Sequence, residues 1–296
     1  MAKNNSRLQL KDNKCIALVY RGGKPEAVAL SKKLAAWLKE RNYQVFTAPD
    51  QKLVPGTKAT KGSKDLSKMG LVIVLGGDGT YLRAVRLLEG AQIPILGFNM
   101  GSLGFLTAHQ ADEIFSIVEE TLSGKMQMKP RSMLQAEVIR KGKSRGTYHA
   151  LNDVVIERGS LSQLINTAIY ADKFLVAEVK ADGLVIASPS GSTAYNLAAG
   201  GPILHPEVRA IVVTPVAPHS LTSRPMIFPD HGELEFKLEG QTQKAHFVID
   251  GQKVTELTAD DEVQIRRSCY DHWILRSPNH NFFHLLREKL KFGDRS

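Results

Sequence analysis

The chain has 296 residues, of which 43% are hydrophobic and 23% are charged, and its formal net charge at pH 7 is +9. These values are near the average for soluble globular chains, and a chain of this length can bury a substantial core without disulfides or structural metals. The positive charge favours an anionic ligand such as a phosphorylated small molecule. Because no basic motif interleaved with aromatic residues is present, we expect no nucleic-acid partner.

Only two cysteines, Cys15 and Cys269, occur in the chain, and they are far apart in sequence. They form neither a disulfide framework nor a metal-binding spacing, which predicts a reducing, cytoplasmic compartment. The basic residues near the amino terminus are not followed by the apolar region of a signal peptide. No apolar run approaches the roughly 20 residues of a membrane helix, so we expect no membrane partner.

The first part of the chain alternates between strand patterns and helix patterns. Apolar runs of strand length occupy residues 15–20, 43–47, 71–75 and 93–99. Between them lie apolar residues at helical spacing, such as Leu82 and Val85. Continuous apolar runs are typical of strands that are buried on both faces of a parallel sheet. We therefore predict an α/β nucleotide-binding domain at residues 1–128, with a mostly parallel sheet flanked by helices.

The pattern changes near Pro130 to short strands separated by turns. The predicted strands are residues 153–157, 165–170, 174–179, 184–187, 209–214, 234–238, 246–249, 263–267 and 273–275. This pattern predicts an all-β, sandwich-like domain at residues 129–276. Aromatic and leucine residues at helical spacing then predict a closing helix within residues 277–296, which we expect to pack on the first domain.

A glycine-rich loop, Gly76-Gly77-Asp78-Gly79-Thr80, lies directly between a buried strand and a helix. Glycines let the backbone approach a phosphate group, and the start of a helix offers free N–H groups. An aspartate repels phosphate, so Asp78 is better explained as a contact of Mg²⁺ or as the acceptor of a proton from an attacking hydroxyl. The alternative is an ordinary turn in which Asp78 caps the helix. The loop matches neither the dinucleotide fingerprint nor the lysine-bearing P-loop.

A second glycine-rich loop, residues 99–106, follows the next strand and contains Phe105. Because ligands bind at the carboxyl ends of parallel strands, we expect both loops to face one crevice. Phe105 is equally well explained as a core residue. The pair Asn152-Asp153 offers donors and acceptors that suit a ribose or an adenine edge, although such a pair more often marks a turn.

The most informative segment runs from Asp182 to Pro202. A strand leads into a turn that is rich in hydroxyl groups, including Ser190 and Thr193, and then into an apparent helix. These hydroxyls can cap the helix or bind a nucleotide, and a cap alone needs only one of them. The small residues Ala194 and Ala198 leave room for a flat ligand.

These motifs, in this order and at this spacing, resemble those of the bacterial NAD kinases, from about Cys15 to the final helix. The glycine-aspartate loop alone is shared with diacylglycerol-type lipid kinases and with phosphofructokinases, whereas Thr193-Ala194-Tyr195 is far more specific. The resemblance implies an enzyme that transfers the γ-phosphoryl group of ATP, or of another donor such as polyphosphate, to the 2′-hydroxyl of the adenosine ribose of NAD. Mg²⁺ or another divalent cation is implied with the nucleotide, without a metal site made of protein residues alone.

The resemblance also implies site residues. Asp78 is the expected catalytic residue, in a phosphate loop of Gly76, Gly77, Gly79 and Thr80. The residues expected to bind NAD are Asp78, Gly79, Phe105, Asn152, Asp153, Gln163, Lys180, Asp182, Ser190, Thr193, Ala194, Tyr195, Asn196, Leu197, Ala198 and Gln252. Many relatives have Glu where Asp153 stands. The family further implies a homodimer or homotetramer whose sites combine residues of two chains.

Two other functions fit parts of the pattern. A lipid kinase with the same phosphate loop would need an apolar or basic amphipathic surface for membranes, and the sequence contains none. A non-enzymatic dinucleotide sensor would gain nothing from the charge of Asp78 next to a phosphate group.

Overall fold

The computed structural model describes residues 6–7, 13–160, 163–240, 244–278 and 281–291. Its strands are β1 (Ser6–Arg7), β2 (Cys15–Tyr20), β3 (Gln44–Thr47), β4 (Lys58–Ala59), β5 (Leu71–Gly76), β6 (Ile95–Asn99), β7 (His109–Gln110), β8 (Gln127–Arg140), β9 (Lys143–Ala150), β10 (Asp153–Arg158), β11 (Ile165–Ala171), β12 (Phe174–Ala181), β13 (Gly183–Ala187), β14 (Ala210–Val216), β15 (Met226–Pro229), β16 (Leu234–Leu238), β17 (Lys244–Ile249), β18 (Gln252–Thr258) and β19 (Asp261–Arg276). Its α-helices are α1 (Pro25–Glu40), α2 (Ser63–Leu66), α3 (Asp78–Leu88), α4 (Ile114–Leu122), α5 (Tyr195–Ala198) and α6 (Phe282–Leu290).

The chain forms two compact units. The first comprises the residues up to Pro130 together with those from His272 onward, and the second comprises Arg131–Asp271.

The last strand, β19, was expected as two short strands at residues 263–267 and 273–275. It is one strand because partly exposed polar residues near Cys269 continue the extended backbone between the two apolar stretches. The alternation of apolar and polar residues follows the burial of side chains. It is therefore interrupted where the side chains are less buried, even if the strand continues.

The first unit is built on the parallel sheet that the apolar runs predict. Strand β5 pairs in parallel with β2 and β6, and β2 pairs in parallel with β3. All six residues of β5 are buried, as expected for a strand with helices on both faces. Helix α3 buries Tyr81, Ala84, Val85 and Leu88, whereas Leu82 of the predicted stripe is only partly buried.

The parallel register brings the ends of three strands together. Tyr20 at the end of β2 lies opposite Leu75, and Gly76 at the end of β5 lies opposite Asn99, the last residue of β6. The loops that follow these strands therefore leave the same edge of the sheet. The expected proximity of the two glycine-rich loops is confirmed by the hydrogen bond from the Met100 N–H to the Gly76 carbonyl, at 3.2 Å.

The second unit consists of two antiparallel sheets around one core. One sheet has the order β15-β14-β13-β10-β17-β18, and strands β12, β11, β16 and β19 are neighbours in the other. Ile156 and Phe247 of the first of these sheets share a core cluster with Phe236 and Ile265 of the second. The predicted β-rich, sandwich-like architecture is confirmed. Among the described helices, none combines the length and the apolar character needed to span a membrane.

Helix α3 is fixed to the first unit by a buried polar contact. Tyr81 is fully buried, and its hydroxyl lies 2.7 Å from Nε2 of His272, with the two rings edge to face. Replacing Tyr81 with Phe leaves a buried imidazole nitrogen without this partner. We expect Tyr81→Phe to lower the free energy of unfolding by about 1–3 kcal/mol, measured by urea denaturation.

The matched control is Tyr43→Phe. Tyr43 is partly buried, and within the described residues its hydroxyl makes no hydrogen bond. Equal stability losses in the two variants would show that the contact with His272 contributes nothing specific.

Candidate active site

The carboxylate of Asp78 joins the two glycine-rich loops of the first unit. Its Oδ1 accepts hydrogen bonds from the Leu106 N–H at 3.1 Å, the Thr107 N–H at 3.0 Å and the Thr107 hydroxyl at 2.9 Å. Its Oδ2 accepts from the Phe105 N–H at 2.9 Å. Asp78 is the first residue of α3, after Gly77, and makes no capping bond, so the helix-capping alternative is wrong.

The loop that Asp78 binds is held from its other side by an arginine. Arg276 is 5% exposed, and it donates to the Leu106 carbonyl at 3.0 Å and to the Phe105 carbonyl at 2.5 Å. The carboxylate of Asp78 therefore accepts hydrogen bonds from the N–H groups of this loop, while the guanidinium of Arg276 donates hydrogen bonds to its carbonyls. Gly104 is required here, because a Cβ would lie 2.0 Å from Asp78 Oδ1.

A lysine of the closing helix reaches the same carboxylate. Lys289 Nζ lies 3.7 Å from Asp78 Oδ2 and 4.8 Å from the centre of the Phe105 ring. Phe282, at the start of α6, packs against Phe105 with ring centres 6.4 Å apart. These contacts confirm that the closing helix packs on the first unit. Phe105 is thus partly buried against α6.

The two oxygens of Asp78 differ in what they can still accept. Oδ1 already has three donors, whereas Oδ2 has one N–H donor and a lysine beyond normal hydrogen-bond distance. The Asp78 side chain is 29% exposed, so Oδ2 is the oxygen with capacity for a further hydroxyl. Of the remaining loop residues, Gly76 ends β5, and Gly79 and Thr80 lie in the first turn of α3.

In the second unit, a different aspartate positions the Asn152-Asp153 pair. Asp250 accepts hydrogen bonds from the N–H groups of Leu151, Asn152 and Asp153 at 2.9, 2.8 and 3.1 Å. Asn152 and Asp153 are 9% and 5% exposed. Burial, and then the charge of Asp250, raise the pKa of Asp153 to about 7, while the Tyr195 N–H that donates to its carboxylate lowers that pKa in part.

The hydroxyl-rich turn forms a short 3-10 helix, Gly191–Thr193, and the four-residue helix α5. Neither has a side-chain cap, so the capping explanation of Ser190 and Thr193 is wrong. Within the described residues, the buried Oγ of Ser190 has no hydrogen-bond partner. The amide of Asn196, by contrast, donates to two carbonyls and accepts from the Thr214 hydroxyl at 2.6 Å, which ties the turn to β14.

The second unit also contains an open cavity of about 450 Å³ next to this turn. It is lined by Glu157, Arg158, Gly159, Ser160, Asp182, Gly183, Tyr195, Val216 and His246. Arg158 Nη1 forms an ion pair with Asp182 Oδ1 at 2.9 Å. Burial, followed by the charges of Glu157, Asp153 and Asp182, raises the pKa of the Tyr195 phenol.

The structure therefore brings Asp182 and Tyr195 together and joins Asp153 to the backbone of Tyr195. It does not bring Gln163, Lys180 and Gln252 to this cavity, and all three are exposed. Ala194 and Leu197 are partly buried, and Ala198 is exposed, within the turn and α5.

Sequence reasoning missed several residues that organise these sites. Thr107, Asp250, Arg276 and Lys289 all bind groups far from them in sequence. Only Asp250 has a local signal, because it begins an Asp-Gly turn at the end of a strand.

Two family models match the chain. Residues 16–126 match the ATP-NAD kinase N-terminal domain, and residues 151–277 match the ATP-NAD kinase C-terminal domain. An NAD kinase of Bdellovibrio bacteriovorus is 70% identical over 291 residues, which cover 98% of this chain and 96% of that protein. An NAD kinase of Syntrophotalea carbinolica is 38% identical over 95% of this chain and 100% of its own length.

Solved structures of similar fold agree with these matches. The yeast NADH kinase in complex with NADH has a TM-score of 0.89 and 25% identity, covering 98% of this chain and 89% of its own. An NAD kinase from Archaeoglobus fulgidus in complex with ATP has a TM-score of 0.75 and 23% identity, covering 94% of this chain and 100% of its own. At that identity, the second likeness concerns the fold alone.

The raised pKa of Asp153 predicts a pH dependence of stability. A carboxyl whose pKa is about 7 in the folded protein, against an ordinary value of 3.8, favours folding only while it is protonated. That contribution is fully present below about pH 4 and is lost as the pH rises towards 7. Asp153→Asn removes the titrating group, so we expect its stability relative to wild type to rise between pH 5 and pH 8, by about 1–3 kcal/mol.

The measurement is urea unfolding of both proteins across that pH range. Asp112→Asn, at an exposed position, is the control and should give a curve parallel to wild type. A stability difference between Asp153→Asn and wild type that does not change with pH would contradict the assignment.

Proposed function

Because the chain belongs to the NAD kinase family, we propose that Asp78 performs the central chemical step of the family reaction. The chain transfers the γ-phosphoryl group of ATP to the 2′-hydroxyl of the adenosine ribose of NAD and gives NADP. Neither the lipid-kinase alternative nor the sensor alternative is supported by the relatives.

The observation that carries the role of Asp78 is the unequal use of its two oxygens. Four hydrogen bonds fix the carboxylate, and three of them are on Oδ1. Oδ2 is therefore fixed in position and able to accept the proton of the 2′-hydroxyl. As the 2′-hydroxyl oxygen of the ribose attacks the γ-phosphorus of ATP, the bond between that phosphorus and the β,γ-bridging oxygen breaks and ADP leaves. The proton of the hydroxyl passes to Asp78 Oδ2.

The groups around Asp78 suit a phosphoryl transfer. The N–H groups at the start of α3 and the glycines at Gly77 and Gly79 can accommodate phosphate oxygens. Lys289 places a positive charge 3.7 Å from the carboxylate, where it offsets the negative charge that phosphates bring.

A divalent cation such as Mg²⁺ fits this loop only in part. Oδ1 of Asp78 is occupied by its three donors, so any protein ligand would have to be Oδ2, which cannot bind the cation while it accepts the proton of the 2′-hydroxyl. Phosphate oxygens and water would supply the remaining ligands, as is usual for Mg²⁺ in kinases. When bound, the cation neutralises charge on the transferring phosphate.

We assign NAD binding in the second unit to the residues near Asp153 and Tyr195. Asn152 and Asp153 would bind the adenosine, and the buried Ser190 hydroxyl, which lacks a protein partner among the described residues, would donate to the ligand. The cavity lined by Asp182 and Tyr195 would take the nicotinamide end. Thr193, Ala194, Leu197 and Ala198 would form the wall beside them. Gln163, Lys180 and Gln252 remain proposed outer contacts, and Asn196 would hold the turn in place.

Assembly into a homodimer or homotetramer is a further part of the proposal. It is supported by Phe174, Leu175 and Val176, which are 78, 55 and 37% exposed on β12, a strand at the edge of its sheet. Light scattering of the purified chain tests it.

The free thiols of Cys15 and Cys269 support the expected cytoplasmic compartment.

The deciding experiment is an assay of Asp78→Asn. Purified protein is incubated with NAD, ATP and Mg²⁺, and NADP is measured with an NADP-specific dehydrogenase. Loss of a general base commonly lowers the rate by about 10²–10⁴, and we expect that loss here. The Asn side chain keeps one oxygen for the donors around Oδ1, so the protein should fold with a stability loss of about 1–2 kcal/mol.

Asp112→Asn in the same unit is the matched control and should keep full activity. Normal turnover by Asp78→Asn would refute the catalytic role of Asp78. If wild type made no NADP with ATP or with polyphosphate, the transfer reaction itself would be refuted for this chain.

A further inference from the structure

The floor of the 450 Å³ cavity is one row of residues across the sheet. Glu157 on β10 lies directly opposite Gly183 on β13 and opposite His246 on β17, and Gly183 lies opposite Val216 on β14. Residues that are directly opposite in antiparallel strands point to the same face. The side chains of this row therefore face the cavity together.

Gly183 lets β13 approach β10 closely in the middle of this row. A Cβ at this position would lie 2.7 Å from the Ile156 carbonyl oxygen and 3.2 Å from Glu157 Cα. The position consequently has no side chain, and Glu157 lies directly opposite it in the row. Tyr195 lines the same cavity from α5.

The charges of the cavity do not cancel. Arg158 and Asp182 neutralise one another in an ion pair at 2.9 Å. The Glu157 carboxylate forms neither a hydrogen bond nor an ion pair with any residue that the structure describes. Nδ1 of His246 lies 3.9 Å from Oε1 of Glu256, and Glu256 does not line the cavity. The cavity thus contains one uncompensated carboxylate beside an aromatic ring.

This carboxylate can distinguish the two redox forms of the nicotinamide ring. The oxidised ring of NAD carries a positive charge, and the dihydronicotinamide ring of NADH is neutral. The two rings are nearly equal in size, so steric complementarity alone discriminates poorly between NAD and NADH. A carboxylate and an aromatic face both attract a cation.

We propose that Glu157 is a specificity residue that makes this cavity select the oxidised nicotinamide of NAD over the reduced nicotinamide of NADH. The inference rests on the proposed function, which seats the nicotinamide end of the substrate in this cavity. It adds a determinant of substrate redox state that the phosphate loop and the adenosine contacts do not supply, because both forms share the same adenosine and phosphates.

The test is the ratio of kcat/KM for NAD to kcat/KM for NADH, with ATP and Mg²⁺ held constant and both products separated by chromatography. Glu157→Gln keeps the shape of the side chain and removes its charge. We expect the ratio to fall about 3- to 30-fold, mainly through a lower kcat/KM for NAD, since the interaction is partly screened by solvent. If NADH turnover is below detection, its inhibition constant against NAD replaces its kcat/KM in the ratio.

Glu239→Gln is the matched control, because Glu239 is exposed in the same unit, does not line the cavity and loses the same charge. Its ratio should equal that of wild type. If Glu157 had a purely structural role, Glu157→Gln would lower kcat/KM for NAD and for NADH by the same factor. The ratio would then be unchanged, and that result overturns the proposal. Failure of the proposed function is separate, since it requires that wild type form no NADP from NAD.

Discussion

The three consecutive N–H groups of Phe105, Leu106 and Thr107 need an acceptor, and the rest of the first unit's site depends on how Asp78 supplies it. Backbone donors that are shielded from water cost free energy if they are left unpaired. A single carboxylate can accept all three, but only if no side chain intervenes, and Gly104 meets that condition. The constraint fixes where Asp78 points, and it leaves Oδ2 as the oxygen with remaining capacity. The oxygen that accepts three of the loop's hydrogen bonds is therefore not the oxygen that we propose as the proton acceptor.

The second unit uses the same arrangement for a different purpose. Asp250 accepts the N–H groups of Leu151, Asn152 and Asp153 and so fixes the start of β10. This places two carboxylates close together in a buried region, and the charge of Asp250 adds to burial in raising the pKa of Asp153. The fold thereby loses stability near neutral pH in order to position a polar pair. Such a cost is typical of residues that are arranged for a ligand rather than for the core.

Local patterns were sufficient for much of this architecture. The buried run at residues 71–75 and the glycines after it predict a strand, a close turn and a helix, and the parallel sheet then places two loops at one edge. Arg276 and Lys289 could not be predicted, because their partners lie far from them in sequence and neither residue stands in a local motif. The capping explanations failed for a related reason. A short polar side chain at a helix start can bond its own helix or a distant loop, and only the tertiary structure decides between them.

Charge operates on two scales in this protein. The chain as a whole carries a net charge of +9, which attracts the phosphates of both substrates from solution whatever the redox state of the nicotinamide. Attraction over that range is screened by salt and cannot resolve one end of a dinucleotide from the other. Discrimination needs a charge within a few ångströms, in a site where it is not already neutralised. Arg158 neutralises Asp182, and the Glu157 carboxylate does not have such a partner among the described residues, so the two carboxylates differ in the charge that they offer to a ligand. A positively charged protein can therefore recognise a cationic ring, provided that the local charge is of the opposite sign.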